Sequence, residues 1–166
     1  MKKLLIIFIS VLFILNMVNP VLAQFFFTEN ILEKKKAPDF TLDTTRAKAV
    51  NLAKYRQNQK TILFFWATWC PHCREQLKEL NKIKQDLVNK KIKLILIDLG
   101  ESEKLVVKHL QKQKMDFEVF LDKDSSVSEK YNLVGVPTFI FINAQGVIQS
   151  IDHVLPNDYE KILSKS

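Results

Sequence analysis

The two cysteines of this chain, Cys70 and Cys73, stand one helical turn apart, directly after the apolar run Thr61-Ile-Leu-Phe-Phe-Trp66. The run reads as a strand. Downstream, Leu77, Leu80, Ile83 and Leu87 recur along one stripe of a helix. Pro71 suits the first helical position, where a missing N–H costs nothing. Cys70 then sits at the helix N-terminus, where unpaired N–H groups and the dipole favour an anion. That anion can be a thiolate, and such surroundings lower a cysteine pKa from about 8.5 into the range of roughly 3.5–7.5. Helix geometry puts Cys73 on the same face, at a Cα separation of about 5 Å. A disulfide accepts that separation. A reactive outer thiol and a resolving inner thiol are the minimum equipment for thiol–disulfide exchange. His72 adds a tuning group: an imidazole beside the Cys70 sulfur stabilises the thiolate and makes the disulfide more oxidising.

The segment Trp66-Ala-Thr-Trp-Cys-Pro-His-Cys-Arg74 resembles the active-site segment of the thioredoxin superfamily, and within it the TlpA-like extracytoplasmic thiol–disulfide oxidoreductases that include cytochrome c maturation thioredoxins. The likeness runs from Ala37-Pro-Asp-Phe-Thr-Leu42, through Asp98-Leu-Gly-Glu-Ser102, to Gly135-Val-Pro-Thr-Phe-Ile-Phe-Ile-Asn143, and covers residues 37–151. It implies an α/β thioredoxin-like fold: a central mixed β-sheet flanked by helices, with an N-terminal β-hairpin extension. Pro137 reads as trans on general grounds, but the resemblance makes it cis and turns it toward the cysteines. Val136 would then offer its backbone to an extended substrate segment by strand addition. Trp69 is the tryptophan expected to face substrate, and Trp66 the one expected in the core. The implied partners are protein thiol or disulfide substrates, apocytochrome c among them, and a membrane thiol–disulfide electron donor. No cofactor and no metal are implied.

The 166 residues suffice for one domain with a core. Lys2 and Lys3, the apolar run Leu4–Leu15 broken by Ser10, and Val21-Leu-Ala23 read as a signal peptide over residues 1–23. A membrane anchor is the other reading of that segment, although the run is short for a span of about 20 residues. Residues 24–36 read as a linker and 37–166 as the thioredoxin-like domain. The protein is expected to be extracytoplasmic, in the periplasm, where disulfides persist. A structural disulfide is the plainer reading of two cysteines in an exported chain, but so tight a loop restrains the unfolded chain little. The net charge of +7 includes Lys34-Lys-Lys36. With Phe25-Phe-Phe27 these lysines could rest on a membrane surface; a solvated linker is the plainer reading. No nucleic-acid motif is present.

The pattern predicts a short hairpin from 40–42 and 49–52, a helical turn at 53–56, and a strand at 61–67. A helix to Asn89 follows, then a strand at 92–99 buried on both faces, a helix at 102–113 and a strand at 117–121. Ser126-x-x-Glu129 predicts a capping box for a helix ending near Tyr131. A hairpin of 138–142 and 147–151 and a closing helix at 156–164 complete the chain. Three positions depart from the family. Phe64 stands where thioredoxins carry a buried acid, Gln76 where cytochrome-maturation relatives carry a Glu, and Lys78 where a helix-kinking proline is usual. Glu75 is only a weak substitute, so the proton acceptor for Cys73 is unassigned.

Two further readings compete. Cys-Pro-His-Cys is also the tetrapeptide of DsbA-type oxidases, but the connection from Leu99 to Ser102 has no room for their helical insertion. A copper chaperone would use Cys70, Cys73 and a remote histidine, His109 or His153. His109 reads as surface on its helix. A peroxidase, suggested by Ala37-Pro-Asp-Phe, is excluded by the absence of P-x-x-x-[TS]-x-x-C.

Overall fold

The computed structural model describes residues 31–165. The expected signal peptide and the first part of the expected linker lie outside them. Seven strands and five helices follow in order among the described residues: β1 (Thr41–Leu42), β2 (Val50–Asn51), α1 (Leu52–Arg56), β3 (Lys60–Trp66), α2 (Pro71–Asn89), β4 (Ile92–Leu99), α3 (Glu103–Lys112), β5 (Val119–Asp122), α4 (Ser126–Lys130), β6 (Thr138–Ile142), β7 (Ile148–Asp152) and α5 (Tyr159–Leu163). The implied thioredoxin-like frame is present. A five-stranded mixed sheet runs β5-β4-β3-β6-β7, and β1-β2 is a separate antiparallel pair. β3 is central, parallel to β4 and antiparallel to β6.

The period-two alternation of strand side chains divides the core into two layers. Ile62, Phe64 and Trp66 face α2, α3 and α5. Leu63 and Phe65 face α1, α4 and the N-terminal segment. Both faces of β3 are apolar because both are covered. That is why the strand reads as a continuous hydrophobic run rather than an alternating one.

The N-terminal segment does more than extend the domain. Lys34 N–H donates to Ile148 O at 2.8 Å, Ile148 N–H to Lys35 O at 2.9 Å, and Ala37 N–H to Gly146 O at 2.9 Å. Pairing with β7 thus begins at Lys34, ahead of the expected domain start at Ala37. At the opposite edge of the sheet, Thr45 N–H donates to Val119 O and Leu121 N–H to Asp43 O, each at 2.9 Å. Between the two edges Phe40 packs edge-on against Phe120 and Tyr131, with ring centroids 6.1 Å apart in each case. The segment therefore crosses one face of the sheet and closes both of its open edges.

One local expectation fails. Ser126 does not cap α4: it is the first helical residue, and the N-cap Ser125 makes no side-chain capping bond. Asp122 at the end of β5 does that work. Its carboxylate accepts from Val127 N–H at 3.1 Å and Ser128 N–H at 2.8 Å. A fully buried carboxylate needs donors, and the free N–H groups of the next helix supply them.

Candidate active site

β3 delivers the chain to the start of α2, and the site is built at that junction. Cys70 is the N-cap, with extended φ of −82° and ψ of 113°, and Pro71 occupies the first helical turn. The Cys70 sulfur accepts the Cys73 N–H at 3.1 Å, so one of the orphan donors of the helix end is spent on this atom. Cys70 and Cys73 are joined as a disulfide with Cα atoms 5.2 Å apart, close to the separation expected from helix geometry. Both are buried, while the neighbouring Trp69 is 66% exposed. Trp66 lies wholly in the core.

The second side of the site comes from the turn before β6. The Val136–Pro137 peptide is cis, as the resemblance implies. The Val136 carbonyl oxygen lies 3.8 Å from the Cys70 sulfur. Among the described residues Val136 pairs with no other backbone group. Beside the disulfide opens a cleft of about 530 Å³, lined by His72, Glu75, Gln76, Val136, Pro137 and His153 among others. Val134 and Val154 stand exposed at its rim.

His72 follows Pro71 at the second helical position. Its Nδ1 faces Glu75 at 3.4 Å, and the hydrogen bond that reaches the Cys70 sulfur comes from backbone. At the second helical position the ring points outward and meets the residue one turn on. Gln76 is also engaged: its Oε1 accepts the Leu155 N–H at 2.8 Å, tying α2 to the chain beyond β7. The two remote histidines lie apart. His153 Nδ1–H donates to the Pro137 carbonyl at 2.8 Å. His109, expected on the surface, packs against Trp66 with centroids 5.7 Å apart, and burial lowers its pKa. Among the described residues no three His, Cys, Asp or Glu side chains are grouped to hold a metal.

Sequence reasoning missed an acid. Phe64, at the position of the thioredoxin carboxyl, is buried and stacks on Phe139 at 4.5 Å. Asp98 lies one strand away, at the end of β4, opposite Trp66 in the ladder. It is 1% exposed. Burial first, and then the Glu101 side chain beside it, push its pKa up to about 8. The signal was legible: a lone acid in the otherwise apolar run Leu94-Ile-Leu-Ile-Asp-Leu99. Glu101 in turn accepts from the Thr68 N–H at 2.6 Å and the Thr68 Oγ1 at 2.7 Å. Thr68 sits between β3 and Cys70.

The frame, the disulfide at a helix start and the proline turn facing it are those of thioredoxin-like proteins. The family model described as AhpC/TSA matches residues 34–151. The chain belongs to the AhpC/TSA family. Within that family, the thiol-disulfide oxidoreductase ResA of Bacillus subtilis is 27% identical over 123 residues, covering 74% of this chain and 68% of that protein. The thioredoxin-like protein YneN of the same organism is 30% identical over 124 residues, covering 73% and 71%. A DsbE-type thiol:disulfide interchange protein from Chlorobium tepidum superposes with a TM-score of 0.68 at 26% identity, covering 78% of this chain and 92% of that one. StoA of Bacillus subtilis shares the fold, with a TM-score of 0.64 at 22% identity over 78% and 98% of the two chains. This AhpC/TSA member is a thiol–disulfide oxidoreductase of the ResA and DsbE type.

Proposed function

We propose that the protein is exported and reduces disulfides in protein substrates, with Cys70 as attacking thiol and Cys73 as resolving thiol. The reading is carried by one observation: the Cys70 sulfur sits at a helix start, bonded by a helix N–H, 3.8 Å from the Val136 carbonyl at the mouth of the cleft. The helix end favours the Cys70 thiolate over the thiol. That thiolate attacks one sulfur of a substrate disulfide. A mixed disulfide forms and the other substrate sulfur leaves as a thiolate, which takes a proton. Cys73 gives up its proton and attacks Cys70. The second substrate sulfur leaves, and the Cys70–Cys73 disulfide remains. Two electrons pass to the substrate, and a membrane thiol–disulfide donor returns them.

Val136 would pair with an extended substrate segment. Trp69, Pro137 and the cleft beside them would receive its side chains. Pro71 sets the helix start, and His72 tunes the rim of the site from its place against Glu75. Residues 1–23 would direct export to the periplasm, or anchor the chain facing it, and the lysines at 34–36 would lie near the membrane. Apocytochrome c is a substrate of the right kind, an exported protein whose cysteines must be kept reduced.

Equilibration of the full chain in glutathione buffers, with thiol trapping, tests the direction. A potential near about −270 mV supports a reductant, and one near about −120 mV overturns it in favour of a DsbA-like oxidase. In the Cys73→Ser variant the expected outcome is an accumulating mixed disulfide between Cys70 and a protein substrate, visible on a non-reducing gel. Cys70→Ser should give none.

A further inference from the structure

Three observations meet at Thr68, two residues before Cys70. First, Asp98 is buried, and its Oδ2 has no hydrogen-bond partner, although Oδ1 accepts the Glu101 N–H at 3.2 Å. Second, the group beside that carboxyl is the Glu101 side chain, itself an acceptor. Two carboxylates facing each other out of water repel. One proton between them converts the contact into a hydrogen bond. Third, Glu101 spends its other acceptor capacity on Thr68, taking both the backbone N–H and the hydroxyl. Thr68 is held on its far side as well, because Arg74 of α2 donates to its carbonyl at 3.3 Å.

We infer that Asp98 is a positioning residue: its protonated carboxyl pairs with Glu101, and the pair braces Thr68 and with it the Trp69–Cys70 segment that meets substrate. Asp98 is the donor of the pair and the Glu101 side chain accepts. The charged and titratable groups around the pair are Asp122 from β5, Arg74 from α2, which bonds Thr68, and His109 with Lys112 from α3. Asp122 opposes ionisation of Asp98, and Asp122 itself is occupied by the first turn of α4. When Asp98 loses its proton, the two carboxylates must separate. The main chain of Asp98 is fixed in the strand ladder, and Glu101 moves away by releasing Thr68. The brace is thus intact on the acid side of the transition and loosened on the alkaline side. The functional value of this brace rests on Trp69 and Cys70 facing substrate. Its existence does not, and it is tested without substrate.

The experiment uses the oxidised full chain, in which no cysteine titrates. Difference infrared spectra across pH 6 to 10 should lose a protonated-carboxyl band near pH 8 in the wild type, in line with the raised pKa of Asp98. The Thr68 amide protection factor, measured by hydrogen exchange, should fall at least about tenfold through the same transition. Asp98→Asn should abolish the band and keep Thr68 protected at both ends of the range. Glu101→Gln, which also covers the case in which Asp98→Asn does not fold, should move the transition to lower pH, because a neutral amide no longer repels the ionised form. A wild-type band that titrates with ordinary carboxyls, or Thr68 protection that does not change across the transition, overturns the inference. So does an unmoved transition in Glu101→Gln. Failure of Cys70–Cys73 to exchange with any protein disulfide would sink the proposed function without touching these readouts.

Discussion

Asp98 shows how much one side chain can be moved by its surroundings. In the unfolded chain it would titrate at its ordinary 3.8; folded, it holds its proton to about 8. Between those values the folded state binds more protons than the unfolded one. Stability therefore falls as pH rises through that window, by at most about 1.4 kcal/mol per pH unit from this group. Below about pH 4 the group contributes no pH dependence, and above about pH 8 its penalty is complete. Urea midpoints at pH 5 and pH 8 should accordingly differ in the wild type, with the higher midpoint at pH 5. Asp98→Asn should flatten the difference. His153, which lines the cleft, commits its Nδ1–H to the Pro137 carbonyl.

At the level of elements, the β6–β7 hairpin is held by a buried cation. Arg56, the last residue of α1, is buried and donates to the Asn143 carbonyl at 2.6 Å and the Gln59 carbonyl at 3.0 Å. Its burial lowers its pKa but leaves a guanidinium charged. The turn residue Gly146 has φ of +83°, and a Cβ there would stand 2.9 Å from Arg56 Nη1. Glycine is required twice over: for the left-handed backbone and for the approach of the arginine. Gly146→Ala should cost about 1–3 kcal/mol by backbone strain. Arg56→Ala should cost a similar amount, about 1–3 kcal/mol, by removing the charged hydrogen bonds to the Asn143 and Gln59 carbonyls. Thermal denaturation of each variant checks both values. The turn lies at the far end of β6 from Pro137, so exchange at Cys70 in the folded variants should stay near wild type.

Across the whole molecule, the N-terminal segment acts as a strap. It pairs with β7 at one edge, lays Phe40 across the sheet, and pairs with β5 at the other edge. Tyr131 anchors it from α4 by donating its hydroxyl to the Pro38 carbonyl at 2.6 Å. An uncovered sheet edge is a template for association with other chains, and the strap removes both. Phe40→Ala should cost about 3–5 kcal/mol of folding stability, the range for a buried Phe emptied from a core. Equilibrium unfolding in urea measures it. A chain beginning after residue 57 should fail to unfold cooperatively and should aggregate, since the face of Phe65, Ile97 and Ile140 would lose the N-terminal segment and α1 and keep only α4 and Tyr131 as cover. A soluble, cooperatively folding product of that truncation would show that the strap and α1 are dispensable.

Much of this was written in local order along the chain. The alternation and length of apolar runs specify the elements, because side-chain period and helix stripe are properties of neighbours in sequence. Pro71 and the cysteine spacing specify a disulfide at a helix start, because one helical turn sets the distance. The pairing of Val136 with that disulfide was reached through resemblance alone, since 66 residues separate it from Cys70. What no local pattern carries is the partner of a polar group. Ser126 reads as a cap and loses to Asp122, the His72 ring meets Glu75, and His109 packs against Trp66. The buried acid Asp98 lies on a neighbouring strand, and Glu101 beside it reaches Thr68, 33 residues upstream. Sequence determines which groups must be satisfied; only the tertiary structure decides by what, because hydrogen bonds and burial depend on distance in space and not on separation along the chain.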